Sequence, residues 1–204
     1  RDDLAVAAPG ADVSSQESAG LVSVYRGSVS GLIDSALNYT QDSSDVNGTM
    51  LDASEAFDRF GDALAAGDFD ANGADDLAIG VPRESQNSES AAGVVQILRG
   101  LPGVGLTLAN NQLWNQANIF TGEDIANGDQ FGFALAVGGD MSDDDADDLL
   151  IGSPFEDVLV GSTTFVDAGA VTVLFGTNDQ GITTFHSETY YQDDFALGEN
   201  SEHD

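Results

Sequence analysis

The stretch Gly67-Asp68-Phe69-Asp70-Ala71-Asn72-Gly73-Ala74-Asp75-Asp76-Leu77-Ala78-Ile79-Gly80-Val81-Pro82 sets oxygen-bearing side chains at alternate positions, then a glycine, then a short apolar run. It reads as a cation loop feeding a buried strand. A hard cation needs several carboxylates and a carbonyl turned inward together, and an apolar run without alternation needs cover on both faces. The pattern returns at Gly139-Asp140-Met141-Ser142-Asp143-Asp144-Asp145-Ala146-Asp147-Asp148-Leu149-Leu150-Ile151-Gly152-Ser153-Pro154. Its second half opens the chain as Arg1-Asp2-Asp3-Leu4-Ala5-Val6-Ala7-Ala8-Pro9. Pro9, Pro82 and Pro154 are 73 and 72 residues apart, and so are Asp3, Asp76 and Asp148, which makes the chain a repeat array.

A period of this length exceeds one hairpin and suits a four-stranded unit. First strands are predicted at 60–67 and 131–138, built of small residues that suit crowded backbones. Second strands fall at 4–8, 77–81 and 149–153, each closed by its proline, which cannot extend a central ladder. Third strands fall at 20–27, 93–100 and 169–176. There Val22 and Val24, Val95 and Ile97, and Val171 and Val173 share a buried face, opposite a mixed face bearing Ser23, Gln96 and Thr172. Fourth strands are placed at 35–40, 112–116 and 187–192, polar enough for an outer edge. The extra residue at Gly138-Gly139 predicts a bulge. No helical stripe runs longer than two turns.

The charge narrows the partners. Against 36 Asp and Glu stand 5 Lys and Arg, a net charge of -31 over 204 residues. Such a field repels a phosphate backbone and an anionic membrane surface, and it attracts cations. A highly solvated acidic surface, as in proteins from salty water, is compatible with metal loading. With no cysteine, stapling must come from packing or metal. No apolar run reaches the roughly 18 residues of a membrane span, so no membrane insertion by this segment is expected.

Four-stranded antiparallel units repeated radially, each sheet covered on both faces by its neighbours, describe a β-propeller. The chain resembles the FG-GAP repeats of integrin α-subunit head domains and of bacterial extracellular proteins. Phe60-Gly61 and Phe131-Gly132 carry the first half of that name, and Ala7-Ala8-Pro9, Gly80-Val81-Pro82 and Gly152-Ser153-Pro154 stand where the family has Gly-Ala-Pro. The resemblance implies an all-β fold, a partial β-propeller of four-stranded antiparallel blades of the integrin α N-terminal type. One segment, 1–204, would hold an incomplete first blade (1–59), a second (60–130) and a third (131–204). Family propellers usually have seven blades, so the expectation is a part of a longer polypeptide or completion by assembly.

Counted from Asp68, offsets 1, 3, 5 and 9 are Asp68, Asp70, Asn72 and Asp76, with the Ala74 carbonyl at offset 7 and Gly73 for the turn. The second loop offers Asp140, Ser142, Asp144, the Ala146 carbonyl and Asp148, with Asp145 in the glycine position. The resemblance implies that these residues bind Ca²⁺. An Asx-rich turn that caps strands through side-chain to backbone bonds is the competing reading. Ile79 at offset 12 and the flanking strands exclude an EF-hand. The incomplete first loop keeps Asp3 and the Arg1 carbonyl and is expected to bind nothing by itself.

Strand direction alternates, so the acidic turns share one face with the short links 26–32, 99–106 and 175–182. The opposite face carries the segments 10–19, 41–59, 83–92, 118–130, 155–168 and 192–204, where recognition by loops would sit. Trp114 reads as an outer-strand packing residue, and His186 and His203 stand in no zinc or catalytic pattern. No Gly-x-Ser-x-Gly elbow is present. Asn38 and Asn47 open glycosylation sequons. The function expected is a calcium-binding, non-catalytic module of the cell surface or extracellular space, engaging a protein ligand or further propeller blades. The alternatives are a structural subunit of an extracellular assembly and the scaffold of a polysaccharide-active enzyme.

Overall fold

A computed structural model describes residues 1–119, 125–160 and 162–191. The last part of the expected third blade, 192–204 with His203, lies outside the described residues. The first sheet runs β1 (Leu4–Ala8), β2 (Leu21–Ser28) and β3 (Gly31–Tyr39), hydrogen-bonded in that order. The second runs β4 (Ala63–Gly67), β5 (Asp76–Val81), β6 (Val94–Leu101) and β7 (Gly105–Trp114), followed by a one-turn helix α1 (Gln116–Ile119). In the third, β8 (Ala134–Gly139) and β9 (Asp148–Ser153) precede a small hairpin, β10 (Val158–Val160) and β11 (Thr163–Phe165). Then come β12 (Ala170–Phe175) and β13 (Thr183–Tyr191). Strands 8, 9, 12 and 13 pair in that sequence, and all pairs are antiparallel. The fold of the described residues is therefore nearly all-β and built of blades, with no closed barrel among them.

Stacking of the sheets explains the apolar runs. Leu77, Ile79, Val81, Val94 and Leu98 join Val22, Val24 and Phe60 in one core, between the first and second sheets. Ala78, Val95 and Ile97 point the other way, into a second core with Phe131, Leu149, Ile151 and Leu174. The middle sheet is sandwiched, so β5 and β6 need apolar or satisfied groups on both faces. This corrects the mixed face expected for the third strands. Gln96 and Thr172 are buried, and the Gln96 amide donates to Asn111 Oδ1 at 2.7 Å and to the Gln112 carbonyl at 2.8 Å. Only in β2, on the first sheet, is the Ser23 face partly open.

The first strands begin three residues later than expected, because Phe60-Gly61 and Phe131-Gly132 form turns ahead of them. Both rings are completely buried, plugging the cores from outside the ladder. Phe60 N–H donates to Ala19 O at 2.8 Å, and Phe131 N–H donates to Ala92 O at 2.9 Å, which stitches each sheet to the next. The fourth strands start earlier than expected and run longer. A bulge falls between Val137 and Gly139, as the sequence predicted, and others interrupt the third-to-fourth strand pairs. The β10–β11 hairpin lies where a loop was expected. On the outer face of the first sheet, Leu4 and Val6 remain 44% and 46% exposed.

Gly93 has φ +88°, and a Cβ there would meet the Phe131 carbonyl oxygen at 2.2 Å. Gly93→Ala should therefore force the second and third sheets apart and lower stability by about 3 kcal/mol, read as a reduced urea midpoint.

Candidate functional site

The two acidic turns join β4 to β5 and β8 to β9. In the first, Asp68 Oδ1 accepts from Asn72 N–H at 2.9 Å and Oδ2 accepts from Gly73 N–H at 2.8 Å. Asp70 Oδ1 accepts from Asn72 N–H at 3.2 Å, and Asn72 Oδ1 accepts from Ala74 N–H at 3.0 Å. Asp76, buried, accepts from Gly100 N–H at 2.7 Å and from Phe69 N–H at 3.2 Å. The competing Asx-turn bonds are thus present. The second turn repeats them: Asp140 accepts from Asp144 and Asp145 N–H, Asp144 Oδ1 from Ala146 N–H, and Asp148 from Met141 and Gly176 N–H. Ser142 is exposed beside them. Left-handed backbone closes both turns, with φ +87° at Gly73 and +73° at Asp145.

The donor chemistry of the turns fits a hard cation, being all oxygen. One atom in the first turn stands out. Asp70 Oδ2 is buried without a hydrogen bond and forms an ion pair with the Arg99 guanidinium. In the second turn Ser142 replaces that aspartate, and Phe175 occupies the position of Arg99 before the strand-ending glycine. Burial, with the charges of Asp70 and Asp68, pushes Asp76 up to about 7, against the pull of its two amide donors. Asp148 is raised by burial as well. Exposed Asp140 is lowered by the amides of Asp144 and Asp145.

Asp147 was not singled out from the sequence. Its Oδ2 accepts from Asp68 N–H at 3.0 Å while its own N–H donates to Asp68 O at 2.9 Å, docking one blade's turn on the next. The doublets Asp2-Asp3, Asp75-Asp76 and Asp147-Asp148 were the available signal.

A second acidic group lies at the opposite end of the sheets. Carboxylate oxygens of Glu55, Asp58 and Glu84 lie within 4.8 Å of one another. Gln41 Nε2 donates to Glu84 Oε2 at 2.6 Å, and Glu55 N–H donates to Asp58 Oδ2 at 2.6 Å. Burial, followed by the charges of Asp52 and Asp58, holds Glu84 far above the usual carboxylate range, and burial lifts Asp58 to about 6. Nothing in the local sequence marked these residues, which come from two loops.

Stacked four-stranded antiparallel sheets whose first two strands are joined by carboxylate turns are blades of a β-propeller. Residues 60–98 match the FG-GAP repeat. Over 181 residues the chain is 32% identical to integrin alpha-PS2 of Drosophila melanogaster, covering 86% of this chain and 12% of the integrin. Over 153 residues it is 29% identical to the phosphatidylinositol-glycan-specific phospholipase D of Homo sapiens, covering 75% of this chain and 17% of that protein. The chain thus belongs to the FG-GAP repeat, integrin α-like family and spans a small part of the length of these relatives.

Two variants probe the site's electrostatics. Arg99→Gln strands the buried Asp70 carboxylate and should cost about 2 kcal/mol in chelator, measured by urea denaturation. The raised groups Asp58 and Glu84 bind protons more tightly folded than unfolded. Their stabilisation is full below the unfolded values near 4 and is lost as pH rises through about 6 for Asp58 and higher for Glu84. In divalent-free buffer the chain should lose stability between pH 5 and pH 9. Glu84→Gln should remove on the order of 2 kcal/mol of that loss, read from melts across the range.

Proposed function

We propose that this chain is a calcium-binding, extracellular β-propeller segment that presents its loops to a protein ligand and has no catalytic role. Calcium would be held by Asp68, Asp70, Asn72, the Ala74 carbonyl and Asp76, and by Asp140, Ser142, Asp144, the Ala146 carbonyl and Asp148. The observation that carries this reading is the twice-built oxygen-rich turn, closed by left-handed backbone at Gly73 and Asp145 and held between two inner strands. When bound, the ion would cancel the mutual repulsion of three carboxylates in each turn. The adhesion part of the proposal rests on similarity to an integrin α-subunit, and on the long segments gathered at the end of the blades away from the turns.

A second observation favours contact with further propeller blades. Leu4 and Val6 stand exposed on the outer side of the first sheet, while Ala5 and Ala7 on the inner side pack against the core. A face of that composition suits another sheet.

Calcium at a hundred times its dissociation constant should stabilise the chain by about 2.7 kcal/mol per site bound. In the Asp68→Asn, Asp140→Asn double variant most of the shift in melting temperature should disappear. An identical shift in the wild-type and double-variant chains would defeat the assignment to the turns.

A further inference from the structure

We infer that Glu55, Asp58 and Glu84, with the side-chain carbonyl of Gln41, form a second kind of calcium site, separate from the acidic turns and at the other end of the blades. The three carboxylates reach one point from different segments: Glu84 follows β5, whereas Glu55 and Asp58 belong to the connection between the first and second sheets. Gln41 enters from the end of β3. It is 2% exposed, and its planar amide is fixed against Glu84 through Nε2 at 2.6 Å, yet its Oε1 has no hydrogen-bond partner. A buried amide oxygen without a donor, on a side chain bonded to one of the three carboxylates, is an acceptor available to a cation held by that group.

Charge makes the same demand. Asp58 and Glu84 are buried, and the two salt bridges among the described residues, Arg59–Asp62 and Arg99–Asp70, do not include them. Two of the three carboxylates, Glu55 and Asp58, line a surface cleft together with Phe57, Arg83 and Ser90. An all-oxygen set with no nitrogen or sulfur ligand selects a hard divalent ion.

The next blade repeats the arrangement with one part missing. Gln116, Asp129 and Glu156 lie 75, 71 and 72 residues beyond Gln41, Asp58 and Glu84. Gln116 Nε2 bonds Glu156 Oε2, and its Oε1 again has no hydrogen-bond partner. Ala126 N–H donates to Asp129 Oδ2 at 2.8 Å, as Glu55 N–H does to Asp58, but alanine stands in place of the third carboxylate. The full set at Glu55 is therefore the stronger site, since affinity follows ligand charge count. An ion there would tie the first sheet, the connection and the second sheet together.

Equilibrium dialysis with calcium alone tests this in the 204-residue chain. Glu84→Gln should remove one bound calcium, and Glu55→Gln, at an exposed position, should weaken one calcium on the order of tenfold without altering the circular dichroism spectrum. The Asp68→Asn, Asp140→Asn chain should retain this ion. Should the turns bind nothing, the site is still read as the one calcium lost on Glu84→Gln in the otherwise unaltered chain. Unchanged stoichiometry and affinity in both Glu84→Gln and Glu55→Gln would overturn the inference.

Discussion

A carboxylate holding the amide of a distant glycine, buried in both four-stranded sheets and exposed at Asp3 in the first, is the constraint on which each blade depends. Asp76 takes the N–H of Gly100, Asp148 takes that of Gly176, and Asp3 takes that of Gly27, at 2.7, 3.0 and 2.8 Å. In every sheet the bond joins the start of the second strand to the end of the third. Taking a carboxylate out of water costs several kcal/mol, and charge-assisted amide bonds are what offset it. In the complete turns the second carboxylate oxygen holds the first strand's exit through Phe69 or Met141 N–H. One side chain thereby fixes the relative positions of three strands.

Blade contacts follow from the same economy of space. The inner strands are short and rich in alanine and glycine because β4 lies against both β8 and β1. A Cβ at Gly80 would sit 2.1 Å from the Gly132 carbonyl oxygen, so that approach tolerates glycine alone. Phe60 and Phe131 fill the cores on the two sides of the second sheet. The second core and the turn-to-turn bonds of Asp147 with Asp68 both join the second sheet to the third.

Most of the architecture was legible because it is periodic. Recurring Asp and Pro at 72 to 73 residues exposed the units, and continuous apolar runs such as 77–81 announced strands covered on both faces. Gln96 defeated the alternation rule, since its burial depends on the sandwiching of the middle sheet, which no local pattern records. The β10–β11 hairpin was missed although Val158-Leu159-Val160 is an apolar triplet, because three residues are too few for a strand signal. The acidic turns could be read from spacing within nine residues. Gln41, Asp58 and Glu84 could not: they are 17 and 26 residues apart in polar connections and meet only through the stacking of sheets.

Comparing the two turns shows how this chain manages buried charge. Asp70 and Arg99 occur together in the second blade, and Ser142 and Phe175 replace them together in the third. Losing one member alone would leave an unpaired ion in a low-dielectric site, which is costlier than losing both. The -31 net charge therefore conceals two populations of carboxylate. Exposed ones such as Asp140 are stabilised by solvent and nearby amides, and buried ones require a stoichiometric partner: an arginine for Asp70, paired backbone amides for Asp76 and Asp148. Glu84 has a glutamine amide and the Ser85 N–H as donors, yet it also faces Asp52, Asp58 and Glu55, an excess of negative charge that two neutral donors do not cancel. By the rule the rest of the chain obeys, the balance at that end of the blade has to be made up by a proton or a cation.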